Sequence, residues 1–390
     1  MSFGIPSKRQ EANNFQMPDF NKLLQRKIQQ RKADNSFRML SAKENLIDFT
    51  SNDYLGLAKS EDLFELITKK VDALPHRNGA SGSRLLSGNS TYTEEVEKKL
   101  AHLFKGEAAL IFNSGYAANQ AVLSCIPQRG DTILYDELAH ACIRDGSKLS
   151  FANQHSFRHN QLDDLEKKLK QATGNTFVIA ESIYSMDGDE SPIEDIIELS
   201  DHYGAFVMID EAHSTGVIGP NGSGFSVTKN VHERIGVRVY TFGKAMGCHG
   251  ACVVGSKDLI DYLINFARPF IYTTALSTHS VAAIECSFQY LGDNMNLQRL
   301  LSQKIELFTD LYKKHFDNGL ISKTQIQGII IPGNKKAREA AAHLQHKGLD
   351  VRAILSPTVP EGSERLRICL HTYNTEEEIE NLVQELSALT

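Results

Sequence analysis

Short and almost continuous apolar runs recur between about residues 50 and 280, and helical segments separate them. The runs are ALIFNS (109–114), TILYD (132–136), TFVIAES (176–182), AFVMIDE (205–211), RVYTFGK (238–244) and ACVVGS (251–256). Runs without strict alternation are typical of strands that are buried on both faces. The pattern therefore predicts an α/β large domain with a mostly parallel sheet covered by helices.

The two ends of the chain differ from this middle part. Residues 1–48 are polar and basic, and LLQRKIQQRKADNSFR within them predicts an amphipathic arm helix. After about residue 285 a long helical stretch runs through Phe316, and short strands then mix with helices. We therefore predict an N-terminal arm (1–48), a large domain (49–284) and a smaller C-terminal α+β domain (285–390).

Composition narrows the classes of function. The formal net charge of -6 over 390 residues argues against a nucleic-acid binder. The first 20 residues hold no apolar core of a secretory signal, so we expect a cytoplasmic protein. The longest uncharged run, 108–128, contains amides that lipid would not tolerate, so we expect no membrane span. The six cysteines show no CxxC spacing, and we expect free buried thiols.

Ligands of open α/β sheets bind beyond the carboxyl ends of the strands, and four such ends carry polar residues. After ALIF, the small residues of NSGYAAN open a helix, and their N–H groups could approach a phosphate. An ordinary strand–turn–helix junction would look the same. After TFVIAE, the hydroxyls of SIYSMDG could brace a cofactor ring or simply cap the next helix.

The third end carries an acid. Asp210 ends the run AFVMID, and His213 lies three residues further on. Such a carboxylate is often a helix cap, but it could also pair with a protonated heterocycle nitrogen. Asp210, Glu211 and His213 could in principle bind a metal, but no complementary ligand cluster supports a metal site, and we predict none.

The fourth end carries Lys244, which follows a buried strand and lies among glycines. Desolvation lowers the pKa of a lysine and makes its amine a nucleophile that can form a Schiff base. A solvated loop lysine is the alternative. The chain contains neither the GxxxxGK[ST] spacing nor GxGxxG, which removes the usual nucleotide-binding motifs.

These strand ends together suit pyridoxal 5′-phosphate (PLP). Lys244, 34 residues after Asp210, would bond the cofactor, and the glycine-rich helix start would hold its phosphate. Six stretches are more specific: NSGYAAN, DELAHACIRDG, ESIYSMDGD, IDEAHSTGVIG, TFGKAMGCHGA and ARPFIYTTAL. With them the chain, from about residue 45 to its end, resembles the fold-type I PLP-dependent transferases and, among these, the α-oxoamine synthases.

The resemblance implies a role for each matching residue. Lys244 would be the Schiff-base lysine and the base at Cα, and Asp210 would hold the pyridine nitrogen. The other expected cofactor contacts are His213 at the phenolic oxygen, His140 over the ring, Ser185 beside it, and Gly115, Tyr116 and Thr241 at the phosphate. The family's sites lie at a homodimer interface, so Thr273 or Thr274 would reach the partner's phosphate. Asn52 and Arg367 would bind the amino-acid carboxylate, although Arg365, on the same face of a predicted strand, is not excluded.

Four further stretches of the sequence resemble one branch of this family and indicate the substrates. SNDYLGLA, GASGSRLLSGNS, YTTAL and SPTVPEGSERLR resemble the branch that condenses L-alanine with a pimeloyl thioester in biotin synthesis. Thr358 would then contact the acyl substrate, and Arg38 would meet its far carboxylate. His140 would polarise the thioester carbonyl or assist proton transfer. A sibling branch that uses glycine or serine with another acyl-CoA stays open, as does a non-catalytic PLP-binding protein.

Overall fold

The computed structural model describes residues 19–40, 45–316 and 322–389. Its helices are α1 (Phe20–Ala33), α2 (Glu61–Asp72), α3 (Thr91–Leu103), α4 (Gly115–Cys125), α5 (Ala141–Leu149), α6 (Leu162–Leu169), α7 (Ile193–His202), α8 (Phe225–Thr228), α9 (Lys257–Phe266), α10 (Arg268–Ile271), α11 (Thr278–Asp293), α12 (Asn296–His315), α13 (Asn334–His346) and α14 (Glu376–Ser387). Its strands are β1 (Ile47–Asp48), β2 (Ala108–Phe112), β3 (Thr132–Asp136), β4 (Asn153–Phe157), β5 (Thr176–Glu181), β6 (Phe206–Asp210), β7 (Val237–Thr241), β8 (Ala251–Gly255), β9 (Ile326–Ile330), β10 (Leu349–Asp350), β11 (Arg352–Ile354) and β12 (Arg365–Cys369).

The central sheet has the strand order β2-β8-β7-β6-β5-β3-β4. The strands from β7 to β4 are parallel, and β8 runs antiparallel to both of its neighbours. All six apolar runs form strands of this sheet, so the predicted mostly parallel sheet is confirmed. The strand β4 was not predicted, because its NQHSF residues lie at an edge of the sheet and are mostly solvent-exposed.

Both faces of the sheet are buried, as the apolar runs predict. Along β2 and β8, Ile111 and Val254 pack into a cluster with α2, α3 and α11. Their neighbours Leu110 and Val253 pack on the opposite face against α4, α5 and α9. Since successive side chains of a strand point to opposite faces, apolar residues are needed at every position. This arrangement leaves the strand ends as the place where polar side chains can gather.

A second core lies in the C-terminal part. The antiparallel strands β11, β12 and β9 pack with α12, α13 and α14 around residues such as Leu366 and Ile368. β1 pairs with β10, which ties residues 47–48 to this part, and the predicted boundary at 284 lies inside α11. The predicted single helical stretch after 285 is two helices, because the chain turns at Asn294 and Met295.

The arm contains the predicted helix, α1, and every residue of α1 is solvent-exposed in the single chain. The segment after α1 is anchored to the C-terminal part, because Arg338 donates hydrogen bonds to the carbonyl oxygens of Asn35 and Phe37 at 2.6 and 2.8 Å. Among the described residues, no helix has the length and apolar character needed to cross a membrane. The structure supports the six predicted free cysteines, of which only Cys125 is partly accessible.

Candidate active site

Asp210 lies at the carboxyl end of β6 and is buried. Its Oδ2 accepts a hydrogen bond from Asn119 Nδ2 at 2.7 Å, and its Oδ1 accepts one from the backbone N of Ala212 at 2.8 Å. Asn119 also donates to the carbonyl oxygen of Gly115 at 3.0 Å, within α4. The carboxyl group is therefore held in one orientation between β6 and the start of α4.

A second buried acid, Glu181, ends β5 directly beside Asp210 in the sheet register. Its Oε1 accepts a hydrogen bond from the backbone N of His140 at 2.5 Å. Burial, and then the charge of Asp210, raises the pKa of Glu181 to about 8. The protonated form of Glu181 is therefore more favoured than that of a free glutamate. Glu181 was not among the residues predicted from the sequence, although its position at the end of the apolar run TFVIAE could have indicated it.

Lys244 lies in the loop after β7 and is partly buried, so it is not a solvated loop lysine. Its Nζ is 2.8 Å from Nε2 of His213. Burial lowers the pKa of Lys244, although the charges of Asp210 and Glu181 oppose this effect. A lowered pKa increases the fraction of neutral amine, which is the form that attacks an aldehyde.

Both predicted histidines lie close enough to Lys244 for its charge to affect their pKa values. Burial, followed by the charges of Lys244 and Arg367, keeps the pKa of His213 well below its usual value. Burial and the charge of Lys244 also lower the pKa of His140. Nδ1 of His140 accepts a hydrogen bond from the backbone N of Cys142 at 3.3 Å at the start of α5. The ring proton of neutral His140 therefore resides on Nε2.

The start of α4 has the features of an anion site. Ser114 caps the helix, and a Cβ built on Gly115 would lie 2.2 Å from Oγ1 of Thr241. Only glycine lets Thr241 approach this helix end, whose free N–H groups and dipole favour a phosphate. Tyr116, the next residue, is exposed, and its Oη donates to Oδ2 of Asp145 at 2.6 Å.

Thr273 and Thr274 lie near the same helix end of their own chain. Nδ2 of Asn113, two residues before Gly115, donates to the carbonyl oxygen of Thr274 at 2.9 Å and to Oγ1 of Thr273 at 3.4 Å. The predicted contact of these threonines with a partner's phosphate lies beyond a single chain and stays a prediction.

Asn52, Ser185 and Arg367 come together although they are far apart in sequence. The Arg367 guanidinium donates from Nη2 to Oδ1 of Asn52 at 2.9 Å and from Nε to the carbonyl oxygen of Ser185 at 2.7 Å. Arg365, on the same face of β12, instead forms a buried ion pair with Asp187. Its charge is therefore already compensated, which favours Arg367 as the residue that binds a carboxylate.

The two residues predicted at the acyl end also meet. Nη2 of Arg38 donates to Oγ1 of Thr358 at 2.9 Å. Both residues line a cavity of about 690 Å³ between the arm and the C-terminal part, together with Arg338 and Arg352. A cavity with apolar walls and several arginines suits an acyl chain that carries a negative charge at its far end.

Glu211 does not face this site. It is buried and accepts hydrogen bonds from the backbone N atoms of Phe225 and Ser226 at 2.9 and 2.7 Å, which fixes the start of α8. Within residues 19–40, 45–316 and 322–389, no three His, Cys, Asp or Glu side chains are arranged to hold a metal ion. The arrangement instead fits PLP: an amine for its aldehyde, an acid for its ring nitrogen and a helix start for its phosphate.

Comparison with known proteins decides the family. A family model described as aminotransferase class I and II matches residues 44–386. An 8-amino-7-oxononanoate synthase from Emericella nidulans is 40% identical over 372 residues, which cover 87% of this chain and 88% of the relative. The chain belongs to the class I and II aminotransferase family, among its PLP-dependent α-oxoamine synthases.

Solved structures of α-oxoamine synthases have the same fold. The 8-amino-7-oxononanoate synthase from Francisella tularensis matches with a TM-score of 0.76 and 30% identity over 89% of this chain and 98% of that one. A serine palmitoyltransferase from S. paucimobilis, with a bound PLP–myriocin aldimine, matches with a TM-score of 0.84 and 25% identity over 94% and 96%. The predicted fold class, family and cofactor are confirmed.

Three ionisable side chains hold the loop that carries Ser185, and their interaction depends on pH. His159 contacts Asp136 and Asp189 at 2.9 and 2.7 Å. Burial alone would lower the pKa of His159, but the two carboxylates raise it to about 10. The pKa of His159 is higher in the folded protein than its unfolded value of about 6.5. The charged triad therefore stabilises the fold fully below about pH 6.5, and this stabilisation is lost as the pH rises through 10.

We therefore expect His159→Gln to lower the free energy of unfolding by roughly 3 kcal/mol at pH 6 and by almost nothing above pH 10. Urea unfolding of both proteins across this range measures the difference. An equal loss at pH 6 and above pH 10 would contradict a charged imidazole in the triad.

Proposed function

We propose that this chain catalyses the decarboxylating condensation of L-alanine with pimeloyl-CoA, or with pimeloyl-acyl-carrier protein, to 8-amino-7-oxononanoate in biotin biosynthesis. The observation that carries the proposal is the meeting of Lys244 and His213 with Arg367 and Asn52 beside the buried Asp210. A nucleophilic amine would then lie next to a site for a carboxylate. The 40% identity to an enzyme with this name, over most of both chains, supports the choice of substrates.

PLP, when bound, supplies an aldehyde that the lysine can bond and a ring that accepts electrons from the amino-acid Cα. Asp210, held by Asn119 and a backbone N–H, would keep the proton on the ring nitrogen. Glu181 would compete less for this role, because burial and the charge of Asp210 raise its pKa. His213 and Ser185 would lie beside the ring.

The phosphate end would be held by the first residues of α4. Gly115 and Tyr116 offer backbone N–H groups there, and Thr241 adds a hydroxyl. Thr273 or Thr274 would serve the site of a partner subunit. These assignments rest on the close approach that only a glycine at position 115 permits.

Lys244 would also move the proton. Its neutral amine would remove the proton from Cα of L-alanine, whose carboxylate is bound by Arg367 and Asn52. His140 would donate from Nε2 to the carbonyl oxygen of the thioester, because its Nδ1 is already occupied. Thr358 and Arg38 would contact the acyl chain, with Arg38 at its far carboxylate.

We further propose a cytoplasmic homodimer with active sites at the subunit interface. The exposed apolar side chains of α1, with Phe20 and Leu23 among them, support an assembly that covers the arm. The alternative function is that of a sibling synthase, either glycine C-acetyltransferase (2-amino-3-ketobutyrate CoA ligase) or serine palmitoyltransferase. The likeness to the structure of serine palmitoyltransferase keeps this alternative open.

A substrate matrix tests the proposed function. Alanine, glycine and serine are each combined with pimeloyl-, acetyl- and palmitoyl-CoA, and products are identified by mass. We expect the alanine and pimeloyl-CoA pair to give the highest kcat/KM and 8-amino-7-oxononanoate as product. A higher kcat/KM for glycine with acetyl-CoA, or for serine with palmitoyl-CoA, would establish the sibling function instead.

Lys244→Ala tests the central residue. We expect this variant to lose the visible absorbance of lysine-bonded cofactor and to lose turnover by roughly 10²–10⁴-fold or more, because the proton at Cα has no base. Lys229→Ala, at an exposed lysine paired with Glu194, is the matched control and should retain both. An unchanged spectrum in Lys244→Ala would refute the assignment.

Substitutions of the two arginines of β12 should have different effects, one on substrate binding and one on stability. Arg367→Gln should raise the KM for alanine roughly 10- to 100-fold, because hydrogen bonds to a charged group are lost. Arg365→Gln should instead destabilise the fold by about 3 kcal/mol, because it leaves Asp187 buried without its partner. Steady-state kinetics and urea unfolding of both variants measure the split, and the reverse pattern would reassign the carboxylate site to Arg365.

A further inference from the structure

A continuous line of hydrogen bonds joins the predicted carboxylate site to the predicted cofactor lysine. Lys244 Nζ lies 2.8 Å from Nε2 of His213, and Nδ1 of His213 lies 2.8 Å from Oη of Tyr54. Tyr54 Oη lies 2.9 Å from Oδ1 of Asn52, which also accepts from Arg367 at 2.9 Å. Tyr54, which has no role so far, is the middle member of this line and is fully buried.

The donor and acceptor roles follow from the Arg367 end. A guanidinium only donates hydrogen bonds, so the amide atom of Asn52 that faces it must be the oxygen. That oxygen carries no proton, so the Tyr54 hydroxyl must donate to it. Burial raises the pKa of Tyr54, so the hydroxyl keeps its single proton.

The tautomer of His213 is then determined. Because the Tyr54 proton points at Asn52, Oη can only accept from Nδ1 of His213, which therefore carries the ring proton. Burial lowers the pKa of His213 well below its usual value, so the ring is neutral and Nε2 is bare. The bare Nε2 accepts a hydrogen bond from Lys244 Nζ.

The backbone of this segment is also held, since Gln325 Nε2 donates to the carbonyl oxygen of His213 at 2.8 Å. The ring therefore has little freedom except in the placement of its proton. The titratable or charged groups that face the line, apart from its own members, are His140, His371, Asp210, Glu181, Cys142 and Cys369. None of these is hydrogen-bonded to either ring nitrogen of His213 within the described part of the chain.

We propose that Tyr54 is a positioning residue that fixes the tautomer of His213 and, through it, the orientation of the Lys244 amine. With Nε2 as acceptor, one N–H of Lys244 is held toward His213, and the amine lone pair is free for an aldehyde or a Cα proton. Because Asn52 and Arg367 set the direction of the Tyr54 proton, a carboxylate bound there is linked to the lysine. This inference rests on the proposed function and deepens its account of the same site.

The first test reads the tautomer directly. The full chain, free of cofactor, is labelled with ring-¹⁵N histidine, and His213 is assigned by its loss in His213→Gln. In the parent protein at neutral pH we expect a protonated Nδ1 and a bare Nε2. In Tyr54→Phe we expect this preference to be lost, with a substantial Nε2–H population. A parent ring protonated on Nε2, or an unchanged ring in Tyr54→Phe, would overturn the proposal.

Two further variants complete this test, one as a control and one with the opposite expected result. Tyr262→Phe is the matched control, because it removes a hydroxyl that donates to the carbonyl oxygen of Cys125 at 2.9 Å, outside the site. It should leave the His213 signals unchanged. Asn52→Ala removes the acceptor, so the Tyr54 proton should turn to Nδ1 and move the ring proton to Nε2. This opposite result is required even if Tyr54→Phe fails to fold, and its absence contradicts the proposal.

The second test measures the reactivity of Lys244 and the effect of a bound carboxylate on His213. PLP is added to each cofactor-free protein, and the visible absorbance is followed with time. We expect it to develop roughly 3- to 10-fold more slowly in Tyr54→Phe than in Tyr262→Phe, because Tyr54→Phe loses one buried hydrogen bond. Propionate, a carboxylate without an amine, should move the His213 signals in the parent protein but not in Tyr54→Phe. Equal rates, or equal propionate effects, would refute the positioning role.

The outcome is separable from that of the proposed function, because neither test uses an acyl thioester. If the substrate matrix gives no 8-amino-7-oxononanoate while the His213 tautomer and PLP rates are as expected, only the choice of substrates fails. If the product forms but Tyr54→Phe changes neither the ring nor the rate, the proposed function stands and the role of Tyr54 is wrong.

Discussion

The burial of Asp210 is the constraint on which the rest of the site depends. A carboxylate at the end of a central parallel strand is far from water, and a second acid, Glu181, lies beside it in register. Two neighbouring negative charges are unfavourable there, so the pKa of Glu181 is raised, and a cation that faces Asp210 would stabilise the pair. Under the proposed function, the protonated ring nitrogen of PLP would be that cation.

The C-terminal part supplies the two arginines that lie near the strand ends of the large sheet. Its strand β12 brings Arg365 and Arg367 to the strand ends of the large sheet, where they take different tasks. The first guanidinium is neutralised by Asp187 and joins the two parts of the chain. The second has the neutral partners Ser185 and Asn52, which leaves its charge available for an incoming carboxylate. Under the proposed function, substrate binding and the packing of the two parts would share this one strand.

Much of this could be predicted from the sequence, since buried strands need continuous apolar runs and the residues after them face a ligand. The polar edge strand β4 was missed because its side chains meet water rather than a core. Arg365 and Arg367 could not be separated, because only the tertiary contact with Asp187 distinguishes two residues on one face. Glu181 and Tyr54 were overlooked because their importance comes from neighbours that are distant in sequence.

The most direct measurement of the central claim is the site of cofactor attachment. The PLP-loaded protein is reduced with borohydride, digested and mapped by mass spectrometry. We predict one phosphopyridoxyl group, on the peptide that contains Lys244, because this amine has a lowered pKa and lies 2.8 Å from His213. A label on another lysine, or no label in a protein that has bound PLP, would contradict it.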